Sequence, residues 1–336
     1  MNSLERIERT IKFLETDYVP VIAQVFGHAA TIAGVGVDDY VRDGETVARC
    51  QIDALKRYGY DAVFAVLDVN VETEAVGSTL EYRHNQYPTI KQHVFQNGGA
   101  HLADIPDPAR SGRMPEMLKA LRRLRGELGN EVLVVGCVLG PFTLTTQLLG
   151  IENALFMAID DPEKLELVMD FATDVIINFG RAQIEAGAHV PVVFDPSASP
   201  AVVPPQFFRE FELPRLRSVF KALEAGGAIA NWLHIAGSAD SIFPVYANAG
   251  VDIANFDYSI AAASAIAKLP RTCLNGNIKS LSFVDDDPED ICVLAKKLLD
   301  MFKERKGFIL SSGCEIPPEA KPENVAAIVC ATELTR

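Results

Sequence analysis

Eight short apolar segments, separated by stretches with helical spacing, constrain the fold of this chain more than any other feature of the sequence. None of the eight alternates strictly between apolar and polar residues, so each predicts a strand that is buried on both faces. Strands of this kind pair in parallel and are covered by the helices between them. The segments are residues 18–26, 62–68, 131–139, 190–194, 228–235, 252–257, 272–277 and 308–314. The predicted fold is therefore α/β, a parallel sheet closed on itself as a (β/α)8 barrel.

The stretches between the strands carry helix signals. The clearest helix begins after Asp161-Pro162 and ends at Gly187, as the preferences for proline at a helix start and glycine at its end predict. Helices are predicted at residues 1–15, 43–58, 161–186, 207–227 and 287–305. A polar, Pro-rich excursion around 80–115 is long for a connection, which indicates a lid or rim insertion. We expect residues 1–336 to form a single barrel domain.

Composition and charge exclude several classes of protein. Hydrophobic residues make up 49% and charged residues 23% of the chain, which is typical of a globular core rather than of disorder. The formal charge of −14, from 31 Lys and Arg against 45 Asp and Glu, disfavours nucleic acids and anionic lipids as partners. No apolar run reaches the roughly 18 residues that span a bilayer. The six cysteines show no CxxC spacing, and the first residues are unlike a signal peptide, so we expect a cytoplasmic protein.

Polar residues recur where the predicted strands end. The carboxyl ends of the strands form the active-site face of a (β/α)8 barrel, so these side chains are expected to converge there. They are Gln24 or His28, Asp68, Asp195, His234, Asp257, Asn277 and Cys314. Several also have a structural explanation: Asp195-Pro196 could start a turn, Asp257 could cap a helix, and Gly276-Asn277 could serve a tight turn. Their convergence is what indicates a site.

His234 and Cys314 occupy corresponding places after two apolar runs and suggest a metal. Imidazole and thiolate are ligands that zinc favours, and a catalytic zinc keeps one position open. Two ligands do not make a site, however. A lone histidine beside an apolar strand is more often a hydrogen-bonded core residue, and a lone cysteine is often simply buried.

The sequence resembles the uroporphyrinogen decarboxylase superfamily, and within it the methylcobamide:coenzyme M methyltransferases and related corrinoid-dependent enzymes. The matching stretches run through nearly the whole chain in order. They are DAVFAVLDVNVETEAVG (61–77), GPFTLTTQLLG (140–150), EAGAHVPVVFDPSAS (185–199), WLHIAG (232–237), GVDIANFD (250–257), NGNI (275–278) and GCEIPPEAKPENV (313–325). The resemblance implies the same barrel.

Charge distinguishes the branches of this superfamily. The decarboxylases have an amino-terminal arginine-rich motif after the first strand, which binds the carboxylates of the porphyrinogen. The corresponding stretch here, AQVFGHAAT (23–31), contains no arginine. An acidic protein without that cluster would repel a polyanionic substrate. Decarboxylation of a porphyrinogen is therefore disfavoured.

The methyltransferase branch has a zinc motif, His-x-Cys followed by a distant Cys. His234 matches the first ligand and Cys314 the last, but residue 236 is Ala. Either Asp257, with Glu315 in reserve, completes the zinc site, or no zinc is bound. A carboxylate in place of a thiolate gives a harder site, which need not favour a thiol. Demethylation of a methyl ether is therefore favoured over methylation of a thiol such as coenzyme M.

The resemblance also implies roles and partners. We expect methyl transfer between a small molecule and the cobalt of a corrinoid (cobalamin). The corrinoid is expected on a separate protein, since no Asp-x-His-x-x-Gly motif for a resident corrinoid occurs in the sequence. This carrier protein is expected to dock at the 80–115 rim. Asp68 aligns with the decarboxylases' catalytic aspartate and, with Asp195, is a predicted catalytic residue. The predicted substrate-binding residues are Gln24, His28, Asn231 and Asn277. The alternatives are a metal-independent decarboxylase and a noncatalytic partner of a corrinoid protein.

Overall fold

A curled parallel sheet of seven strands forms the centre of the protein in a computed structural model, which describes residues 1–97 and 104–333. The strands, numbered along the chain, are β1 (Ala62–Phe64), β2 (Thr79–Glu81), β3 (Thr89–Gln92), β4 (Leu133–Leu139), β5 (Val190–Phe194), β6 (Trp232–His234), β7 (Ile253–Asn255), β8 (Cys273–Ile278) and β9 (Phe308–Ser312). The parallel sheet has the order β1-β4-β5-β6-β7-β8-β9, and β2 pairs with β3 as a separate antiparallel hairpin. Each parallel strand follows its neighbour in chain order, as in a singly wound barrel.

The seven strands coincide with seven of the predicted segments. β5 has the predicted bounds, 190–194, and β6 occupies only 232–234 within the predicted 228–235. Every residue of β1, β4, β5, β6, β7 and β9 is buried, which explains why the segments do not alternate. The predicted α/β barrel is confirmed.

The first predicted strand, 18–26, is not a regular strand, but it fills the eighth place in the ring. The N–H of Ile22 donates to the Leu310 carbonyl (3.0 Å), and the Leu310 N–H donates to Pro20 (2.9 Å). On its other side, Val21 accepts a hydrogen bond from the N–H of Asp61 (2.8 Å). Pro20 has no N–H to give, and the Val25 N–H bonds within the segment to Ala23, so the ladder is interrupted.

Helices surround the barrel. They are α1 (Ser3–Ile11), α2 (Gly27–Ile32), α3 (Val37–Tyr40), α4 (Gly44–Tyr58), α5 (Val71–Val76), α6 (Met114–Leu128), α7 (Pro141–Leu149), α8 (Ile151–Asp160), α9 (Pro162–Glu185), α10 (Pro205–Phe207), α11 (Leu213–Ala225), α12 (Tyr246–Ala249), α13 (Ala262–Lys268), α14 (Ser282–Asp285), α15 (Pro288–Phe302) and α16 (Pro322–Glu333). Their ends follow the sequence signals: Asp43 caps α4, whose last turn is closed by Gly59 at φ 72°, a conformation that glycine adopts readily.

The predicted helix 207–227 is divided. A π-helical turn, Phe208–Glu212, precedes α11, and Pro214 lies in the first turn of α11. Proline has no N–H for the α-helical bond to the preceding turn, so the ladder is displaced at this point.

The rim excursion contains the β2–β3 hairpin and leads into α6. Residues 98–103 of the predicted 80–115 insertion lie outside the part of the chain that the structure describes. In the described part, no single helix has the length and apolar composition to cross a membrane. Only α7 and α8 taken together would meet both criteria, and they are bent by 106° at the break between them.

Candidate functional site

The side chains that face the barrel interior can be identified from the strand register. Residues paired in register lie on the same face of a sheet. Phe194 pairs with His234, and their rings meet edge to face with centroids 4.8 Å apart. Trp232, two residues before His234, lies 6.2 Å from the ring of Phe64 on the far side of the barrel. The inward face of β6 therefore carries Trp232 and His234.

His234 lies at the carboxyl end of β6, as predicted. It is buried, and burial alone lowers its pKa to about 3, so the ring is neutral near pH 7. Its Nδ1 has no hydrogen-bond partner in the described protein. A neutral imidazole with an unpartnered buried nitrogen can accept or donate a hydrogen bond to a bound molecule.

Asp257 and Cys314 lie near this strand end. Oδ2 of Asp257 accepts the Gly237 N–H (2.7 Å), and Oδ1 accepts the Tyr258 N–H (2.6 Å). A Cβ added to Gly313 would lie 2.4 Å from Oδ1 of Asp257, so the residue before Cys314 packs directly against that carboxylate. Burial raises the pKa of the Cys314 thiol to about 11, which keeps it protonated near neutral pH.

These residues do not assemble as a zinc site. Across residues 1–97 and 104–333, the structure holds no group of three or more His, Cys, Asp or Glu side chains arranged to bind a metal ion. Both oxygens of the Asp257 carboxylate accept hydrogen bonds from backbone N–H groups. The ligand set predicted from the sequence is thus not formed in this conformation.

Glu315, the reserve ligand, is bound to the rim instead. Its Oε1 accepts a hydrogen bond from the hydroxyl of Tyr87 (2.5 Å), which lies between β2 and β3. The Tyr87 hydroxyl in turn accepts the N–H of Gly27 (2.7 Å). Burial raises the pKa of Glu315 to about 7. This contact fastens the hairpin to the end of the barrel.

Gln24 belongs to a polar network inside the barrel. Its Nε2 donates to Oδ1 of Asn255 (3.2 Å) and to the Ser312 carbonyl (3.1 Å). The Asn255 amide donates to the carbonyl of Gly313 (2.7 Å). Since Gln24 and Asn255 lie on different walls of the barrel, this network crosses its interior.

Asn275 is an interior polar residue that sequence reasoning missed. It pairs in register with Asn255 and is completely buried. Neither its amide nitrogen nor its carbonyl oxygen has a hydrogen-bond partner in the described protein, and the same holds for Nε1 of Trp232. The signal available in the sequence was a polar asparagine inside an apolar run, but the prediction considered only polar residues at the ends of strands.

Asp68 is held in a buried ion pair. Its carboxylate bonds to both terminal nitrogens of Arg113, with an Nη2 to Oδ1 distance of 3.2 Å, and also accepts the Asn70 N–H (2.8 Å). The Arg113 Nε pairs with Glu74 at 2.7 Å. Burial raises the pKa of Asp68, while the charge of Arg113 opposes that shift. Arg113, 45 residues away along the chain, was not foreseen.

Asp195 forms a buried carboxyl pair with Glu212. Oδ1 of Asp195 accepts the N–H (2.9 Å) and hydroxyl (2.7 Å) of Thr143, and Glu212 accepts the Phe142 N–H (3.1 Å). The remaining oxygens, Oδ2 of Asp195 and Oε1 of Glu212, have no other partner in the part of the chain that the structure describes. Burial and the Asp195 charge raise the pKa of Glu212 well above its usual range. The pair therefore shares a proton beneath the first turn of α7.

Three predicted substrate-binding residues make structural contacts. The His28 ring lies between the Pro318 carbonyl (3.3 Å) and the Tyr58 hydroxyl (2.9 Å). The Asn277 amide donates to Ile260 O (2.9 Å) and Asp257 O (3.3 Å). Asn231 precedes β6 and donates to the Gly250 carbonyl (3.0 Å), so it lies at the amino-terminal end of the strand rather than at the predicted mouth.

A cavity of about 660 Å³ opens at the opposite end of the barrel. It is lined by the starts of β9 and of the first segment, including Pro20 and Phe308. In barrels of this type the amino-terminal end of the strands serves stability and the carboxyl end carries the chemistry. The candidate site is therefore the interior polar group at the carboxyl ends.

Comparisons with known proteins agree with this architecture. The family model "Uroporphyrinogen decarboxylase (URO-D)" matches residues 2–333. A solved methyltransferase from Methanosarcina mazei superposes with a TM-score of 0.92 and 26% identity, covering 100% of this chain and 99% of that chain.

Curated relatives include two kinds of enzyme. A methylcobamide:CoM methyltransferase of Methanosarcina barkeri is 28% identical over 86% of this chain and 84% of its own length. A methylated-thiol–coenzyme M methyltransferase of Methanosarcina mazei is 27% identical over 72% of this chain, which spans 65% of that relative. A uroporphyrinogen decarboxylase of Xanthomonas axonopodis is 26% identical over 94% of this chain and 90% of its own length. Identity alone does not separate the two activities.

Proposed function

Because this chain belongs to the uroporphyrinogen decarboxylase family, we propose that it transfers a methyl group between a small molecule and the cobalt of a corrinoid carried by a separate protein. The methylcobamide methyltransferases among its relatives, and the solved Methanosarcina methyltransferase, support this activity.

The observation that carries the choice over decarboxylation is the pairing of the buried cations. The buried arginines of the described chain are Arg6, Arg113 and Arg215, and each is ion-paired with carboxylates. A porphyrinogen with many carboxylates would need unpaired arginines at the site to offset its desolvation. A methyl donor or acceptor of low charge has no such requirement.

The direction that we favour is demethylation of a methyl ether. In that direction the carbon–oxygen bond breaks, the methyl group passes to the reduced cobalt, and the departing oxygen takes up a proton. The buried neutral His234 has a ring nitrogen with no partner among the described residues, which supports a role in hydrogen bonding the atom that exchanges the methyl group. The corrinoid is a substrate delivered by its carrier protein, and we assign the docking surface to the β2–β3 hairpin that Tyr87 fastens to Glu315.

We assign Asp68 and Asp195 positioning roles in place of the catalytic roles predicted from the sequence. Asp68 is neutralised by Arg113, and Asp195 shares a proton with Glu212 under α7. Both contacts support a positioning role: Asp68 holds the segment before α6, and Asp195 holds the loop after β4.

Zinc is not part of the proposed mechanism, because the residues present do not fit it. His234 offers a free nitrogen, but Ala236 supplies no ligand and no three-ligand group is formed in the described ranges. Metal analysis of the purified protein, of His234→Ala and of Cys314→Ser tests this directly. We expect well under one zinc per chain, equal in all three proteins. Near one zinc per chain, lost in both variants, would restore the zinc hypothesis.

The activity is tested with cob(I)alamin and a panel of methylated phenols, alcohols, amines and thiols. Appearance of the methylcob(III)alamin spectrum supports the proposal and identifies the substrate class. His234→Ala is expected to lower the rate more than His234→Asn, because asparagine retains a hydrogen-bonding group. Turnover of uroporphyrinogen with no methyl transfer would favour the decarboxylase alternative, and binding of a corrinoid protein with neither reaction would favour the noncatalytic one.

A further inference from the structure

Asn275 is the buried polar residue whose environment is least explained by the fold. It lies in the middle of β8, in register with Asn255 of β7 and Ile309 of β9. Its side chain has no exposed surface, yet both its donor and its acceptor atoms lack a partner in the described protein.

The side chain of Asn275 faces the barrel interior. A Cβ on the next residue, Gly276, would meet the ring of Phe256 at 2.9 Å, and Phe256 packs on Phe302 of the outer helix α15. Gly276 therefore faces the helices, and because successive residues of a strand point to opposite faces, Asn275 faces inward. The register partner Asn255 confirms this assignment, since it bonds to Gln24 across the interior.

Two further interior groups are unpartnered on β6. Nε1 of Trp232 and Nδ1 of His234 are buried and have no hydrogen-bond partner among the described residues. Buried polar groups in native proteins are nearly always satisfied, by protein, by water or by a ligand. By register, His234 and Asn275 lie at the level of Asn255, and Trp232 lies one layer below them at the start of β6. Three such side chains on the inner face of one barrel indicate a polar molecule as their partner.

The charge of this wall restricts what that molecule can be. The Asp257 carboxylate is already occupied by two backbone N–H groups. Every buried arginine of the described chain is paired with a carboxylate, so none is free to receive an anion. A sulfonate or carboxylate placed against Asn275 would lose its hydration without gaining a buried cation. The cation that follows β8, Lys279, is exposed beyond the strand end and lies over the ring of Tyr258 at 5.8 Å.

We propose that Asn275, together with Trp232 and His234, binds a neutral hydroxyl-bearing part of the methyl-transfer substrate. The asparagine amide donates to the hydroxyl oxygen, and its carbonyl accepts the hydroxyl proton. This inference rests on the proposed methyl transfer and adds a substrate class: neutral methylated compounds, in contrast to sulfonate thiols such as the coenzyme M of the relatives' names.

The test compares two probes that differ in one group, 2-methoxyethanol and 2-methoxyethanesulfonate. Binding of each to the full-length protein is measured by ligand-observed NMR, which detects weak ligands. We expect the neutral probe to bind at least about tenfold more tightly, corresponding to about 1.4 kcal/mol. Asn275→Leu should lose this binding while its Tm stays equal or rises, because an apolar side chain replaces two unsatisfied polar groups.

Asn178→Leu is the matched control. The Asn178 amide lies outside the barrel and donates to the Pro106 carbonyl (2.9 Å), so probe binding should be unchanged. Equal affinity for the two probes, no detectable binding of 2-methoxyethanol, or wild-type binding by Asn275→Leu would overturn the inference. The partners of Asn275, Trp232 and His234 would then be structural water molecules.

The two proposals fail separately in this design, because probe binding needs no corrinoid. The expected binding without methyl transfer to or from any compound would refute the proposed function and not the site. Methyl transfer with a sulfonate preferred over its neutral counterpart would refute the site and not the function.

Discussion

Replacing Arg113 with methionine should expose how strongly the Asp68 ion pair holds the rim to the barrel. The Asp68 side chain is 2% exposed and the Arg113 side chain 9% exposed, and Arg113 also pairs with Glu74. Removing one partner of a buried pair leaves an uncompensated charge, which typically costs about 3 to 5 kcal/mol. We expect Arg113→Met to lower the free energy of unfolding by that amount near pH 8.

The pH dependence of this variant has a defined sign. Burial raises the pKa of Asp68, and without Arg113 nothing of opposite charge opposes that shift. The folded variant then binds more protons than the unfolded chain between the ordinary aspartate pKa and the raised one. Its stability should therefore fall as pH rises through that window and recover in acid.

The assay is urea unfolding followed by fluorescence of Trp232, the one tryptophan of the chain. The double variant Asp68→Asn/Arg113→Met is the control, since it also removes the Asp68 charge that the single variant leaves buried without a partner. It should regain most of the lost stability. A loss below about 1 kcal/mol in the single variant, or a double variant no more stable than the single, would refute the buried-pair argument.

Three other changes test separate parts of the structure. Burial raises the pKa of Glu72 to about 7, so this group should lower wild-type stability by roughly 3 kcal/mol as pH rises from about 4.5 to 7. The difference in unfolding free energy between pH 5 and pH 8 should be smaller in Glu72→Gln than in the wild type, and an unchanged difference would contradict the assignment. Tyr87→Phe removes the hydroxyl bonded to Glu315, and should speed amide hydrogen exchange across residues 79–92; exchange at the wild-type rate would show that this contact does not fasten the hairpin. In Gly140→Ala the new Cβ would lie 2.1 Å from Cγ of Asp195, so the Tm should fall by several degrees through overpacking, and a wild-type Tm would mean that the loop after β4 shifts freely.

The apolar segments predicted the barrel because a strand buried on both faces must be apolar throughout its length. That requirement is local, so it is visible in the sequence: residues 190–194 were predicted and observed with the same bounds. The first segment was as apolar as the others but forms no regular strand, because Pro20 and a local bond to Ala23 interrupt its ladder. Its place in the ring depends on contacts with Leu310, which no local pattern reveals.

The candidate site was only partly readable from the sequence. His234 was placed correctly at a strand end, since strand ends follow from the segments themselves. The zinc ligand set was a prediction from family resemblance, and whether three ligands meet depends on distances between strand ends. Those distances are set by the curvature of the sheet and by backbone groups that compete for Asp257.

The sequence by itself determined the α/β class, the number of apolar segments, and the polar residues that follow most of them. The tertiary structure alone decided the partners: Arg113 for Asp68, Glu212 for Asp195, and, among residues 1–97 and 104–333, no protein group for Asn275. The physical reason is that burial of an apolar segment is a property of its own residues, whereas the charge and hydrogen bonding of a buried polar group depend on residues that are distant in the chain and meet only when the barrel closes.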